Sequence, residues 1–240
     1  MNKRKMAFWL APALLAALAL GPAACDGGKK TDTDTGPLPS AADVLSQATQ
    51  AFDTMTTFHF RLEHENGASP IPAGLQIVTA EGDIIVPDRM YAKLEAKAGT
   101  QPVHVEVIGV GDEGWLTNPF TRQWQPLPSG TTIKDIFNPT QGIKAAIGSL
   151  QDAQVTGAEE VDGVQTYHLT GTVTSDILQA AAPIAKPGLI VPIEVWVGKD
   201  DGLIRQIYLN GPIAPGEPEN IVRKLMISGF GEEITITPPA

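Results

Sequence analysis

The sequence predicts an α+β domain, an antiparallel sheet with helices gathered on it. From Thr57 onward, apolar residues recur at every second position in short runs separated by turn residues, which marks half-buried antiparallel strands. A few segments switch to spacings of three and four, which marks amphipathic helices. No unit of about 20–50 residues repeats, so solenoids and propellers are excluded.

The elements follow in order. Ser40 is placed to cap a helix with Asp43 in its first turn, and Ala41, Val44, Leu45, Ala48, Phe52 and Met55 form its apolar face. Phe58, Phe60 and Leu62 then alternate with His59, Arg61 and Glu63, and Leu75, Ile77 and Thr79 give another alternating run. Gly82 to Val86 and Met90 to Lys97 flank the Pro87-Asp88 turn, and Val103, Val105 and Val107 make a further strand. Trp115-Leu116 and Arg122 to Trp124 read as a hairpin around Asn118-Pro119, so a meander is the economical topology. Thr132 to Phe137 is a helical turn, and Thr140 to Leu150 is a second helix with Ile143, Ile147 and Leu150 on one face. Ala153 to Glu159 and Gln165 to Val173 flank Asp162-Gly163, a pair suited to a turn that needs positive φ at both central residues. Thr174-Ser175-Asp176 opens a third helix through Ala182, stopped by Pro183. Ile190 to Val197 and Leu203 to Leu209 form a hairpin, and Ile221 to Ser228 with Ile234 to Thr237 close the sheet.

The first residues stand apart from this pattern. Lys3, Arg4 and Lys5 precede an apolar run from Ala7 to Leu20, followed by Gly21-Pro22-Ala23-Ala24-Cys25. A basic start, a short apolar run and small residues make an export signal over residues 1–24. A spanning helix needs about 20 apolar residues, more than this run supplies. The sole cysteine, Cys25, falls where a lipoprotein signal places its acylated residue, although Pro22 stands where that signal usually has leucine. Residues 25–39 are Gly, Lys, Asp, Thr and Pro with little to bury, a flexible tether. Residues 40–240 hold no Pro/Ser-rich linker and read as one domain.

Composition excludes several functions. The chain has 17 basic and 27 acidic residues, a net charge of -10, which disfavours nucleic acid as a partner. Removing residues 1–24 takes away three bases and no acid, so the remaining body is still more acidic and no polybasic patch binds it to membranes. One cysteine permits no intrachain disulfide. The histidines His59, His64, His104 and His168 lack metal-ligand spacing, and neither a nucleophile elbow nor a phosphate loop is present. The residues therefore point to no enzyme, no metal and no cofactor. The apolar helix faces, Ile133, Ile136, Phe137, Ile143, Ile147, Leu150, Ile177 and Leu178, exceed what three short helices need on one sheet face. Periodicity leaves two readings open: a solid core, or a sheet and helices enclosing a cavity.

From Val110 onward the chain resembles the LppX/LprAFG family of bacterial envelope lipoproteins. The matching stretches are Gly114-Trp115 with Trp124, Phe137-Asn138-Pro139, Gly163-Val164-Gln165-Thr166 and Leu169-Thr170-Gly171. Val191-Pro192-Ile193-Glu194-Val195-Trp196-Val197, Asp201-Gly202, Phe230-Gly231-Glu232 and Ile234-Thr235-Ile236 complete the set. The resemblance implies a curved half-barrel with helices on its concave face, similar to LolA and LolB, enclosing an apolar cavity for acyl chains. On this reading Phe58, Phe60, Leu62, Ile77, Val105, Val107 and Val173 join the apolar helix residues as cavity lining, and Cys25 is the lipid anchor. The ligand would be an acylated lipid or glycolipid carried across the envelope, the membrane would be held through the lipidated N-terminus, and an envelope transporter would be a partner. The protein would be exported and lipid-anchored, facing outside the cytoplasm. Its alternative is a non-transporting docking or sensing module of the same fold. A diacyl lipid exposes roughly thirty methylenes to water at about 0.8 kcal/mol each, so cargo calls for a cavity of several hundred Å³, roughly the size of known ligand pockets.

Overall fold

The computed structural model describes residues 36–71, 74–127, 130–135, 138–179, 182 and 184–240. The export signal, Cys25, most of the tether, Ile136 and Phe137 lie outside the described residues. Helix α1 spans Ala41–Asp53. The Asp43 N–H donates to Ser40 Oγ at 3.2 Å, and Ser40 Oγ–H donates back to the Asp43 carboxylate at 2.6 Å, a reciprocal cap. Val44, Ala48 and Phe52 form the buried stripe expected from their spacing.

The strands are β1 (Thr57–Glu65), β2 (Ser69–Ile71), β3 (Leu75–Ile85), β4 (Arg89–Ala98), β5 (Gln101–Val110), β6 (Glu113–Thr117), β7 (Trp124–Pro126), β8 (Gln151–Val161), β9 (Val164–Thr174), β10 (Ile190–Gly198), β11 (Ile204–Asn210) and β12 (Val222–Ser228). A 3-10 turn at Ile133–Asp135 and helix α2 (Pro139–Gly148) lie between β7 and β8, and helix α3 (Ser175–Leu178) follows β9. The sheet is wholly antiparallel and open. Its centre is β1, flanked by β3 and β12; one arm continues through β4, β5, β6 and β7, the other through β11, β10, β9 and β8. The fold is thus two meanders that meet at β1 and β12, not one. Among the described residues the one crossing is the connection from β7 at one edge to β8 at the other, and α2 lies on it.

Register explains the two faces. Val105, Leu94, Ala80, Leu62, Leu225, Ile207, Val195, Leu169 and Val155 stand opposite one another in a single row from β5 to β8. This row belongs to the face that the helices cover, and it joins α1 and α2 in one apolar core. On the other face Glu106, Lys93, Glu81 and Arg61 pair across β5, β4, β3 and β1 with alternating sign, as suits a solvated surface. The Asp162-Gly163 turn has φ of 49° and 81°, as that pair predicts. Gly82 sits between Phe60 and Ala92, where a Cβ would come within 2.6 Å of the Ala92 Cα, so only glycine lets β3 and β4 approach there.

Four expectations change. The runs at Leu75 and Gly82 form one strand, interrupted by a register shift between Ile77 and Thr79. The extra residue flips the inward set from Ile77 to Ala80, Gly82 and Ile84. The short strand β2 went unread, since a three-residue strand containing Pro70 carries no period. Helix α3 ends at Leu178, not Ala182, although the Ala182 N–H still donates to the Leu178 carbonyl at 2.8 Å. Ile234 to Thr237 is not a strand: β12 and β3 already occupy both sides of β1. That segment instead lies against the sheet end, where Arg89 Nη1 donates to the Ile236 carbonyl at 2.9 Å and Ile236 is buried.

Candidate functional site

Between α2 and the covered face of the sheet lies an apolar cleft of about 120 Å³. Its floor is Leu62 from β1, Ile77 from β3, Ile207 and Leu209 from β11, and Leu225 from β12. Its wall is Pro139, Ile143 and Ala146 of α2 with Leu178 of α3. Asn138 fixes the start of that wall, accepting the Gln141 N–H at 3.1 Å on its side-chain oxygen, with Pro139 in the first turn of the helix. Pro70, Ile71, Ile184 and Ile213 edge the cleft, and Leu62, Leu209 and Leu225 are only half-buried, so the cleft is open to solvent.

One end of the cleft is polar. Arg223 is buried on the same face as Leu225 and forms an ion pair with Glu217. Arg223 Nε donates to Ser69 Oγ at 2.9 Å, and Nη1 donates to the Gly211 carbonyl at 3.1 Å. The Ile213 and Ala214 N–H groups both donate to Glu217 Oε2, at 2.8 and 2.9 Å. His64 lies beside them, with Nδ1 2.9 Å from the Val78 carbonyl and Nε2 2.7 Å from Ser69 Oγ. Burial lowers the His64 pKa to about 4, so the ring is neutral at neutral pH. A buried charge with partners on every side is held in place rather than exposed, and here it closes the cleft without an uncompensated charge.

The structure brings Leu62, Ile77, Ile143 and Leu178 together at the cleft. Phe58, Phe60, Ile147 and Val173 are buried in the core behind it. Val105, Val107 and Ile133 pack under the β3–β6 arm, and Leu150 and Ile177 lie half-buried on the core margin. The cleft residues that sequence reasoning missed are those of β2, β11 and β12, with Ala146, Ile184 and Ile213. The alternation of β11 and β12 was legible, but the face they share with Leu62 is set by pairing with a distant strand. The expectation of an apolar cavity of several hundred Å³ is not met: the cleft has room for a benzene-sized group, roughly what a 150 Å³ cavity holds, and the larger hollow, about 410 Å³, is polar, lined by Arg61, Glu81, Lys93, Glu95, Glu106 and Arg122.

The other histidines lie on the solvated face. His59 Nδ1 is 2.8 Å from Asp83, and His168 Nε2 is 3.0 Å from Glu194 while its ring stacks on Trp196 at 4.4 Å. Among the described residues no three His, Cys, Asp or Glu side chains gather as a metal site. No helix of the described residues is long and apolar enough to cross a membrane.

Several known proteins are similar to this chain in sequence or fold. Lipoprotein LprA of Mycobacterium tuberculosis is 29% identical over 243 residues, covering 95% of each chain. The lipoarabinomannan carrier protein LprG of Mycobacteroides abscessus is 26% identical over 237 residues, covering 96% of each. The crystal structure of LprF from Mycobacterium bovis superposes with a TM-score of 0.65 at 17% identity, covering 85% of this chain and 99% of that one, which establishes the shared fold. The model of the LppX_LprAFG lipoproteins matches residues 40–236, and the chain belongs to that family.

Proposed function

We propose that this protein is an exported, membrane-anchored lipoprotein that takes the acyl chains of a lipid or glycolipid into the cleft and carries them across the envelope. The observation that carries this reading is the cleft itself: apolar on its floor and its helical wall, with its one charged cluster fully paired at one end. The family supports it, since a relative of nearly equal length is named a lipoarabinomannan carrier. An apolar cleft offsets the cost of moving methylenes through water and needs no catalytic residue. At about 120 Å³ the cleft holds only part of an acyl chain. Loading requires α2 and α3 to move off the sheet. The Lys144–Asp53 ion pair, at 2.8 Å, ties α2 to α1, and Ser175 Oγ donates to the Lys186 carbonyl at 2.6 Å at the start of α3, whereas the sheet is held by continuous ladders, so the wall is the part to move.

Cys25 would supply the anchor, because two or three acyl chains hold a protein on a membrane where one does not. The 14 tether residues between Cys25 and Ser40 reach roughly 46 Å at about 3.3 Å each, enough for the body to meet its own membrane. An envelope transporter is the natural partner for directional delivery. The test is native mass spectrometry with organic extraction of protein purified from bacterial membranes. Co-purifying acyl lipids are expected. Protein that is lipid-free and fails to take up a fluorescent fatty acid refutes carriage. Cys25→Ser should release the protein from membranes and abolish metabolic fatty-acid labelling; an unlabelled, secreted wild type refutes the anchor alone.

A further inference from the structure

Apart from the β7–β8 connection, which runs from one edge of the sheet to the other, strand direction sorts the loops between strands to one of two ends. At one end are the turns β3–β4, β5–β6, β8–β9 and β10–β11 and the segment after β12. These carry Asp88, Asp112, Asp162, Asp200, Asp201, Glu232 and Glu233, with Lys199 as their one base. At the other end are the connections β1–β2, β2–β3, β4–β5, β6–β7, β9–β10 and β11–β12. Their charges are Arg122, Asp176, Lys186, Glu219 and the buried Glu217, which Arg223 neutralises. The loops are thus strongly acidic at one end and close to neutral at the other.

The cleft lies toward the neutral end: Ser69, Pro70, Ile71, Leu209, Ile213 and Arg223 all belong to it. So do two of the three large apolar side chains that stand exposed among the described residues. Phe120, at the β6–β7 tip, is 80% exposed, and Ile190, at the first residue of β10, is 75% exposed. The tip is built to hold Phe120 out. Asn118 accepts the Phe120 and Thr121 N–H groups on its side-chain oxygen at 2.9 and 3.0 Å, and its carbonyl accepts the Arg122 N–H at 2.9 Å. Singly exposed apolar side chains are common on protein surfaces; what sets Phe120 and Ile190 apart is that both stand at the end of the sheet that carries the cleft.

We propose that this neutral end is a membrane-docking rim, with Phe120 and Ile190 entering the interfacial layer of a lipid bilayer. The occupant is a bilayer because the charge partition suits one. The acidic end is repelled by anionic headgroups, which turns the neutral end and the cleft toward the surface. Apolar side chains then gain by leaving water, as in other interfacial anchors. Proximity to the bilayer lets acyl chains pass into the cleft without crossing bulk water.

The test uses the full chain with Cys25→Ser, so that no acyl anchor contributes, and vesicles of phosphatidylcholine with phosphatidylglycerol. A cysteine is placed singly at Phe120, Ile190 or Asp162 and labelled with an environment-sensitive dye. The dyes at positions 120 and 190 should shift to the blue on adding vesicles, and the dye at 162 should not. Phe120→Ser with Ile190→Ser should weaken vesicle partitioning by roughly tenfold to a hundredfold, from the apolar area that two side chains bury. Both sites are exposed, so the melting temperature should stay unchanged. An equal shift at position 162, or partitioning that the double serine variant leaves intact, overturns the proposal. The measurement needs no cargo, so its failure is distinguishable from failure of the cleft to bind acyl chains.

Discussion

Ala146→Phe is the sharpest perturbation of the cleft. Ala146 is 2% exposed and faces the cleft from α2. A phenyl ring placed there fills most of about 120 Å³. Burying it contributes about 1.5–3 kcal/mol, and crowding a packed site costs about 1–3 kcal/mol, so the fold should survive with little net change. The cargo loses space for roughly four methylenes, each taken at about the ~30 Å³ of a water molecule. At about 0.8 kcal/mol apiece that is about 3 kcal/mol, or roughly two-hundredfold in affinity. Displacement of a fluorescent fatty acid measures the loss, and a thermal melt on the same sample certifies the fold. Unchanged affinity with an unchanged melt would place the acyl chains elsewhere and refute the reasoning. Val173, by contrast, is wholly buried opposite Val191, so tryptophan there would report on packing rather than on the cleft.

Two further outcomes follow from the fold. Gly82→Ala forces a Cβ onto the backbone of β4, beside the Ala92 Cα and closer still to the Tyr91 carbonyl, and should destabilise the protein by about 2 kcal/mol or more, read as a lower denaturant midpoint. His64, with a folded pKa of about 4 against the ordinary 6.5, binds its proton more weakly in the folded chain. Its contribution to stability is complete above about pH 6.5 and is lost as pH falls toward 4, by about 3 kcal/mol. Urea unfolding at pH 7 and pH 4 should show that drop in the wild type and a smaller one in His64→Gln.

Much of the fold was legible because its signals are local. The Ser40 cap, the stripe Val44, Ala48 and Phe52, and the Asp162-Gly163 turn each need only a few neighbouring residues to be read. The register shift at Ile77 was not, because an inserted residue changes parity without changing composition. Ile234 to Thr237 alternates like a strand, but alternation does not reveal that both sides of β1 are taken. The cleft was legible in half. Leu62, Ile77, Ile143 and Leu178 stood out by period, whereas Leu225 meets Leu62 only through pairing between the ends of the domain. The pairing of Arg223 with Glu217 and Ser69 is equally non-local, and an arginine in an alternating strand reads as solvated until its face is known.

The meeting of β1 with β12 also has a kinetic consequence. Its registered pairs, from His59 with Ser228 to Glu65 with Val222, join the first strand of the sheet to the last. Contacts this distant in sequence close late, because the loop entropy is lost before they form. A chain that emerges N-terminus first can complete the β3–β7 arm, and then the β8–β11 arm, while β1 waits with one bare edge. Only when Ser228 has emerged does the final strand arrive to cover it. Until then the unpaired edge beside Phe58 and Phe60 is open to other chains. The period of greatest aggregation risk therefore lasts until the last strand arrives, and slowing its release should lower the yield of folded protein.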